Sequence, residues 1–189
     1  MKRRMSLIAA TVVCTLIVAA PAVQARASGG ARHHIHSFEG TCEIEGNVHF
    51  SPPATYQQQI LTVDYAGTGT CSGTLDGHAV SDAPVDMRNH VQSDGSCVRA
   101  QTLAPGPGSL SFDNGPTIAY TFEFTYVLSD GVLTFEGRKS GTAVGHGTFL
   151  TPRTPPDISV HCYDGTGIAD IPMDLTLTTQ SPLSSNRGE

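Results

Sequence analysis

The sequence predicts an all-β protein, an antiparallel barrel of about ten strands, with a two-sheet β-sandwich as the alternative. Apolar and polar residues alternate with a period of two through most of the chain, which is typical of half-buried strands. No stretch after the first 25 residues has a convincing helical period. Tight-turn dipeptides separate the alternating runs and favour sequential hairpins: Asp76-Gly77, Asp94-Gly95, Asn114-Gly115, Asp130-Gly131 and Asp164-Gly165.

Two segments show the alternation most clearly. In "GTCEIEGNVHF" (40–50), apolar residues share one face and the charged residues share the other. In "TIAYTFEFTYVL" (117–128), apolar and aromatic residues again share a face, and this composition favours strands. Proline pairs at 52–53 and 155–156 mark longer connections. We therefore expect strands at 40–50, 58–75, 79–92, 96–103, 109–113, 116–128, 131–139, 141–151, 157–163 and 168–179.

The two ends of the chain lack this alternation. Residues 1–25 combine a basic start, an apolar run and small residues before position 26, which is typical of a secretory signal peptide. Ser6 stands where the twin-arginine route prefers an aromatic residue, so general secretion is favoured. The expected product is a secreted, extracellular protein with one all-β domain at 39–180. Disordered tails are expected at 26–38, which is rich in histidine, and at 181–189.

The charge balance limits the possible partners. The chain has 11 basic and 17 acidic residues, and the leader contains three of the basic ones. After cleavage the formal charge is 8 − 17 = −9. An acidic surface repels phosphate backbones and anionic lipids, so we expect no nucleic-acid partner and no membrane binding after cleavage.

The cysteines give the strongest chemical prediction. Four remain after cleavage, and an even number in an exported chain predicts two disulfides. Cys42–Cys71 with Cys97–Cys162 is the favoured pairing, because Cys42 and Cys71 face the core on consecutive strands. A β-bulge is expected there, since a simple hairpin register places these two cysteines several residues apart.

The segment "GTGTCSG" (67–73) also has the G-x-nucleophile-x-G spacing of a hydrolase elbow. Such an elbow requires a helix after the strand, and here the alternation simply continues to the Asp76-Gly77 turn. We therefore expect Cys71 to be a disulfide partner rather than a nucleophile. The inward glycines of this strand, Gly67, Gly69 and Gly73, indicate either strong curvature or an internal ligand cavity, and curvature is the commoner cause.

Histidines supply the candidate metal ligands, which are His33, His34 and His36. The pair His34-x-His36 followed by Glu39 resembles the metal motif of cupins, but the glutamate is too close and no second motif follows. A histidine-rich tail that binds transition metals weakly is the better interpretation. No cofactor is expected. The carboxylate pairs Glu43/Glu45 and Asp170/Asp174 suit acid–base chemistry or calcium, although alternation alone produces such pairs on any solvated face.

One pair of segments resembles a known group. "VHFSPPATYQQQ" followed by "GTGTCSGTLDG" is similar to small exported bacterial β-proteins, mainly uncharacterised, that carry an F-x-P-P segment before a G-x-C-S-G-T-L-x-G strand. The resemblance covers roughly residues 40–80. It implies an exported, disulfide-bearing β-domain and transfers no catalytic residue.

Two functional hypotheses follow. The first is a non-enzymatic binding or surface-interaction module, whose partner is an unknown small ligand or an extracellular protein. The second is a small barrel enzyme of the cyclase or isomerase kind that uses a pocket histidine or carboxylate. It predicts that a cavity brings together two residues of a set of seven: His78, His90, His146, His161, Asp64, Asp86 and Glu123.

Overall fold

The computed structural model describes residues 35–149 and 158–186. These residues form ten strands and one short helix. In chain order they are β1 (Ile35–Ala54), β2 (Gln59–Leu75), β3 (His78–Gly95), β4 (Arg99–Thr102), β5 (Gly106–Phe112), β6 (Thr117–Val127), β7 (Asp130–Gly137), β8 (Thr142–Phe149), α1 (Ile158–Asp164), β9 (Ile168–Thr179) and β10 (Leu183–Asn186). The predicted all-β class is confirmed.

The strands form one antiparallel sheet that returns to its starting point. Neighbours in the sheet follow chain order, with β4 and β5 both placed between β3 and β6. β1 pairs with β2 on one side and with β9 on the other, so the hydrogen-bonded ring closes. The architecture is therefore barrel-like, as the sequential hairpins predict.

The inward face is a continuous apolar core. On β1, Cys42, Ile44, Val48 and Phe50 are buried while the intervening residues are exposed or half-buried. A cavity beside these residues, lined by apolar side chains that include Val48 and Phe50, measures about 30 Å³, which is close to the volume of one water molecule. Side chains therefore fill the interior.

The turns agree with the sequence prediction in part. Asp76 and Gly77 both have positive φ, 51° and 81°, as a two-residue hairpin between β2 and β3 requires. Asn114 has a positive φ of 52° between β5 and β6. The prediction of hairpin turns at Asp94-Gly95 and Asp130-Gly131 is wrong, because Gly95 ends β3 and Asp130 begins β7 after a turn at 128–129.

The first disulfide joins Cys42 and Cys71, whose Cα atoms are 4.1 Å apart. The two residues are direct neighbours in an unbroken register that runs from Phe38↔Leu75 to Ser51↔Thr62. The predicted bulge is therefore absent from this pairing. The β1–β2 pairing ends at Ser51↔Thr62, so residues 52–61 separate the last paired residues and no tight turn sets the register. Cys42 therefore lies opposite Cys71 without an extra residue.

The second disulfide joins Cys97 to Cys162 and corrects one predicted element. The expected strand at 157–163 is wrong, because Ile158–Asp164 form helix α1. Cys162 is buried and Tyr163 is 66% exposed, a contrast that a short helix with one buried face produces as readily as a strand does. Gly165 and Gly167, with φ of 88° and 78°, end the helix and turn the chain into β9.

The predicted tails are also shorter than expected. Within 26–38, residues 35–38 belong to β1, and within 181–189, residues 183–186 form β10. The two segments pair, and the fully buried Phe38 lies opposite the fully buried Leu183. β10 has only four residues and one apolar side chain, Leu183, so its alternation is too short to predict a strand from the sequence. The signal peptide at 1–25 lies outside the described residues, and within those residues no helix has the length and apolarity needed to cross a membrane.

Candidate functional site

The cysteine in "GTGTCSG" is not available for chemistry. Cys71 is 1% exposed, and its sulfur is bonded to Cys42. The neighbouring inward glycines do not open a ligand cavity either. A Cβ on Gly67 would lie 2.9 Å from the Glu45 carbonyl oxygen, and one on Gly69 would lie 2.8 Å from the Ile44 Cα. These glycines therefore allow close approach of β1 and β2, which supports the curvature interpretation.

A site with room for a ligand lies instead on the outer face of the sheet. An open cleft of about 730 Å³ crosses β9, β1, β2, β3, β5 and the start of β6. Its volume is within the usual range for small-molecule sites, roughly 300–1,000 Å³. The buried Tyr65 and Asn89 also border the cleft. Most of its polar lining comes from residues that face outward on neighbouring strands: Asn47, His49, Asp64, Arg88, His90, Ser109, Arg138 and Asp170.

Four of these residues form one row across four strands. Strand register places Asp170 opposite His49, His49 opposite Asp64, and Asp64 opposite His90. We call this set the Asp–His row. It contains two hydrogen-bonded pairs: His49 Nδ1 lies 2.9 Å from Asp170 Oδ1, and His90 Nδ1 lies 2.6 Å from Asp64 Oδ1. All four side chains are about half exposed, with values from 48% to 66%.

The two pairs have the same chemical form. An ionised carboxylate only accepts hydrogen bonds, so Nδ1 of each histidine donates the proton to its aspartate. Nε2 of a neutral imidazole is then a proton acceptor, and it has no partner among the described residues for either histidine. The two histidines are two interstrand spacings apart, or about 10 Å between Cα atoms. The row can accept, donate or hold protons at two separate points.

A second row lies beside the first and holds the basic residues of the cleft. Register aligns Asn47, Ala66, Arg88, Ser109 and Ala119 across β1, β2, β3, β5 and β6. The Arg138 amide then donates to the Ala119 carbonyl at 3.1 Å, which places Arg138 at the end of this row. Only Ser109 and Ala119 stand between the two arginines, so small side chains form the floor between two long ones.

Neither arginine pairs with an acidic side chain in the part of the chain that the structure describes. Arg88 and Arg138 are exposed, and neither forms an ion pair or a side-chain hydrogen bond with any residue in 35–149 or 158–186. The acids of the adjacent row bond to histidines instead. The guanidinium groups are therefore free to meet a ligand.

Of the seven residues proposed as candidate catalytic groups, the cleft brings together Asp64 and His90 only. The others lie apart from it: His78 at the start of β3, His146 on β8, Asp86 on β3 and Glu123 on β6. His161 is on α1, where its Nδ1 lies 2.8 Å from Thr166 Oγ1. Sequence patterns did not identify His49, Arg88 or Arg138, and they indicated Asp170 only as a member of a carboxylate pair.

The predicted metal ligands do not assemble in the described region. His33 and His34 lie outside the described residues. His36 Nδ1 lies 2.8 Å from Asp76 Oδ2 across the β2–β3 turn. Across residues 35–149 and 158–186, no group of three His, Cys, Asp or Glu side chains is arranged to hold a metal ion.

The carboxylate pairs separate in the same way. Asp170 is hydrogen-bonded to His49, whereas Asp174 lies four residues further along β9 and opposite Glu45. Glu43 accepts a hydrogen bond from Thr176 Oγ1 at 2.7 Å. These contacts are cross-strand pairs on a solvated face, and the calcium interpretation gains no support from them.

Comparison with known proteins gives no guide to function. No protein-family model, curated protein or solved structure shows a significant match to this chain. Function is therefore inferred from the residues of the cleft.

Proposed function

We propose that this protein is a secreted, disulfide-stabilised β-domain that acts as a non-enzymatic binding module, with a small polar ligand held in the outer cleft. The observation that carries the proposal is the contrast in volume between the two faces. The interior cavity of about 30 Å³ has no room for a ligand, while the outer cleft of about 730 Å³ has a floor of small residues and walls of polar ones.

Several features support an extracellular setting. Two disulfides are typical of proteins that fold in an oxidising compartment. The predicted leader at 1–25 and the resemblance of residues 40–80 to exported bacterial β-proteins agree with this setting. The excess of acidic residues disfavours nucleic acid and anionic membranes as partners, which leaves a small ligand or an extracellular protein.

A cleft-blocking variant tests the proposal. Ala66 is an exposed residue on β2 in the floor of the cleft, so Ala66→Tyr fills the site with a residue that strands accommodate well. The matched control is Thr70→Tyr, which lies on the same outward face of β2, four residues away and outside the cleft lining.

Native mass spectrometry of protein recovered from the medium of a secreting host supplies the readout. We expect bound small-molecule mass on the wild-type protein and on Thr70→Tyr, and none on Ala66→Tyr. Bound mass that Ala66→Tyr retains would place the ligand elsewhere and refute the assignment of the cleft. A denaturing spectrum of the same sample fixes the cleavage site.

The second candidate is an acid–base enzyme of the cyclase or isomerase kind. It is favoured by one specific observation, the pairing of His90 with Asp64 in an open cleft. A histidine whose Nδ1 is held by a carboxylate has its Nε2 positioned to take a proton from carbon.

Hydrogen exchange distinguishes this candidate from simple binding. The ligand recovered from the protein is incubated with it in D₂O, and an enzyme of this kind incorporates deuterium at an acidic C–H position. His90→Gln should abolish the exchange, while His146→Gln, an exposed histidine outside the cleft, should leave it unchanged. Binding without any exchange rejects the enzyme.

A further inference from the structure

Arg88 and Arg138 both lie at the cleft, although the molecule as a whole carries an excess of acidic residues. The described residues contain four lysines and arginines, namely Arg88, Arg99, Arg138 and Lys139, against 15 aspartates and glutamates. Two of those four border this one cleft. Since both lack an acidic partner in the described part of the chain, their charge is not used to stabilise the sheet.

The geometry points to a ligand that carries an oxyanion, and we propose that Arg88 and Arg138 bind a carboxylate or phosphate group of that ligand from opposite sides. This inference rests on the proposed function, because it assigns a chemical class to the ligand of the same cleft. The planar guanidinium fork matches the oxygen pairs of both groups, and such charge-assisted hydrogen bonds are among the strongest in proteins.

The floor between the arginines fits this role. Ser109 and Ala119 separate Arg88 from Arg138 along the row, and both line the cleft with short side chains. Asn47 and Ser109 add neutral polar groups to the lining. Asn89 is 4% exposed and borders the cleft, and its Nδ2 donor has no hydrogen-bond partner in the described part of the chain.

The Asp–His row limits the repulsion that the aspartates exert on an anion. Asp64 and Asp170 each accept a hydrogen bond from a histidine Nδ1, so each carboxylate already has a donor beside it. The arginines lie one row away, at the opposite side of the cleft from β9. The anionic group of the ligand is therefore expected over Ser109, and its uncharged part over the Asp–His row.

Isothermal titration calorimetry tests the inference with three probes: inorganic phosphate, succinate and the neutral sugar trehalose. We expect binding of at least one anion to the secreted protein and none of trehalose at the same millimolar concentration. The phosphate and succinate arms distinguish the two oxyanion sources. Arg88→Gln and Arg138→Gln should each weaken the anion by about tenfold or more, the usual effect of losing a charge-assisted hydrogen bond.

The matched control is Lys139→Gln, which removes the same charge one residue from Arg138 but lies outside the cleft lining. It should leave the affinity within about twofold, because the Lys139 side chain is exposed outside the cleft lining and its charge is screened by salt. An equal loss in all three variants would show non-specific charge attraction and overturn the inference, as would failure of both anions to bind. Thermal unfolding of each variant verifies that it is folded.

Ala66→Tyr separates the inference from the proposed function. Trehalose binding that this variant blocks, with no anion binding, would reject the oxyanion and keep the cleft as a ligand site. Anion binding that this variant leaves intact would reject the cleft itself.

Discussion

The inward and outward faces of the same strands differ in almost every physical respect. Inward residues such as Leu175 and Leu177 on β9 are 1% and 0% exposed and pack in a core with almost no free volume. Outward residues on the same strand, such as Asp170, pair across strands in water. The difference shows a division of tasks: one face supplies stability, and the other is free to vary for recognition. The predictions below test that division.

The largest effect is expected from removing an inward side chain. Leu177→Ala should lower the free energy of unfolding by about 2–5 kcal/mol, because it removes buried methyl groups and leaves a cavity. Its outward neighbour Thr178 is exposed, and Thr178→Ala should cost about 1 kcal/mol or less. Urea unfolding monitored by circular dichroism measures both values. Equal losses for the two variants would contradict the division.

Removing the inward disulfide should have the next largest effect on the free energy of unfolding. Replacing Cys42 and Cys71 by alanine releases a loop with a sequence separation of 29 residues, which predicts a loss of about 3–4 kcal/mol. The outward pair Glu43 and Thr70 occupies the adjacent register position, so Glu43→Ala with Thr70→Ala is the matched control. We expect this control to lose about 1 kcal/mol or less in the same urea titration. A control that loses as much as the cysteine pair would show that the outer face contributes equally to stability.

Alkaline titration tests the inward face without any mutation. Burial raises the pKa of Tyr120 and Tyr126, and burial together with the charges of Asp174 and Glu45 raises the pKa of Tyr65. A raised folded-state pKa stabilises the fold fully below the unfolded value of about 10, and this stabilisation is lost as the pH rises above it. We expect these three of the five tyrosines to show tyrosinate absorbance only together with unfolding. Ionisation of all five in the folded protein would refute the filled interior.

The smallest effect is expected from the Asp–His row. A double-mutant cycle with His90→Gln and Asp64→Asn should give a coupling free energy of about 0.2–1 kcal/mol, because exposed ion pairs are screened by water and salt. The matched cycle uses His49→Gln and Asp170→Asn. A coupling free energy above about 2 kcal/mol would show that the Asp–His row stabilises the fold, which would contradict the division between the two faces.

The sequence predicted most of the fold because the signals are local. Alternation along 40–50 lies inside β1, and alternation along 117–128 matches β6 except for Leu128, which is in the following turn. The positive φ of Asp76 and Asn114 matches the turns that their glycine-containing dipeptides predict. The structure joins the same cysteine pairs that the sequence favoured. The segment at 157–163 failed because its short alternation also fits a helix, and the buried Cys162 and the glycines after it decide between the two.

The candidate site could be predicted only in part. Asp64 and His90 were named as possible partners, and they lie on consecutive strands. His49 and Asp170 are 121 residues apart and meet only because the ring closes between β1 and β9. Arg88 and Arg138 lie in the same row only because β5 and β6 pair in register between them. No spacing rule in one sequence reveals a register that depends on several non-local pairings.

Closure of the ring between the first and ninth strands also affects how the chain must fold. Residues such as Thr41 and Thr178, which pair across this closure, are 137 positions apart. One edge of β1 is satisfied early by β2, but the other stays open until nearly the whole domain has been made. Contacts of such long sequence separation slow folding, and an open strand edge is a template for another chain. Refolding yield should therefore fall as protein concentration rises, with intermolecular pairing at β1 as the competing reaction.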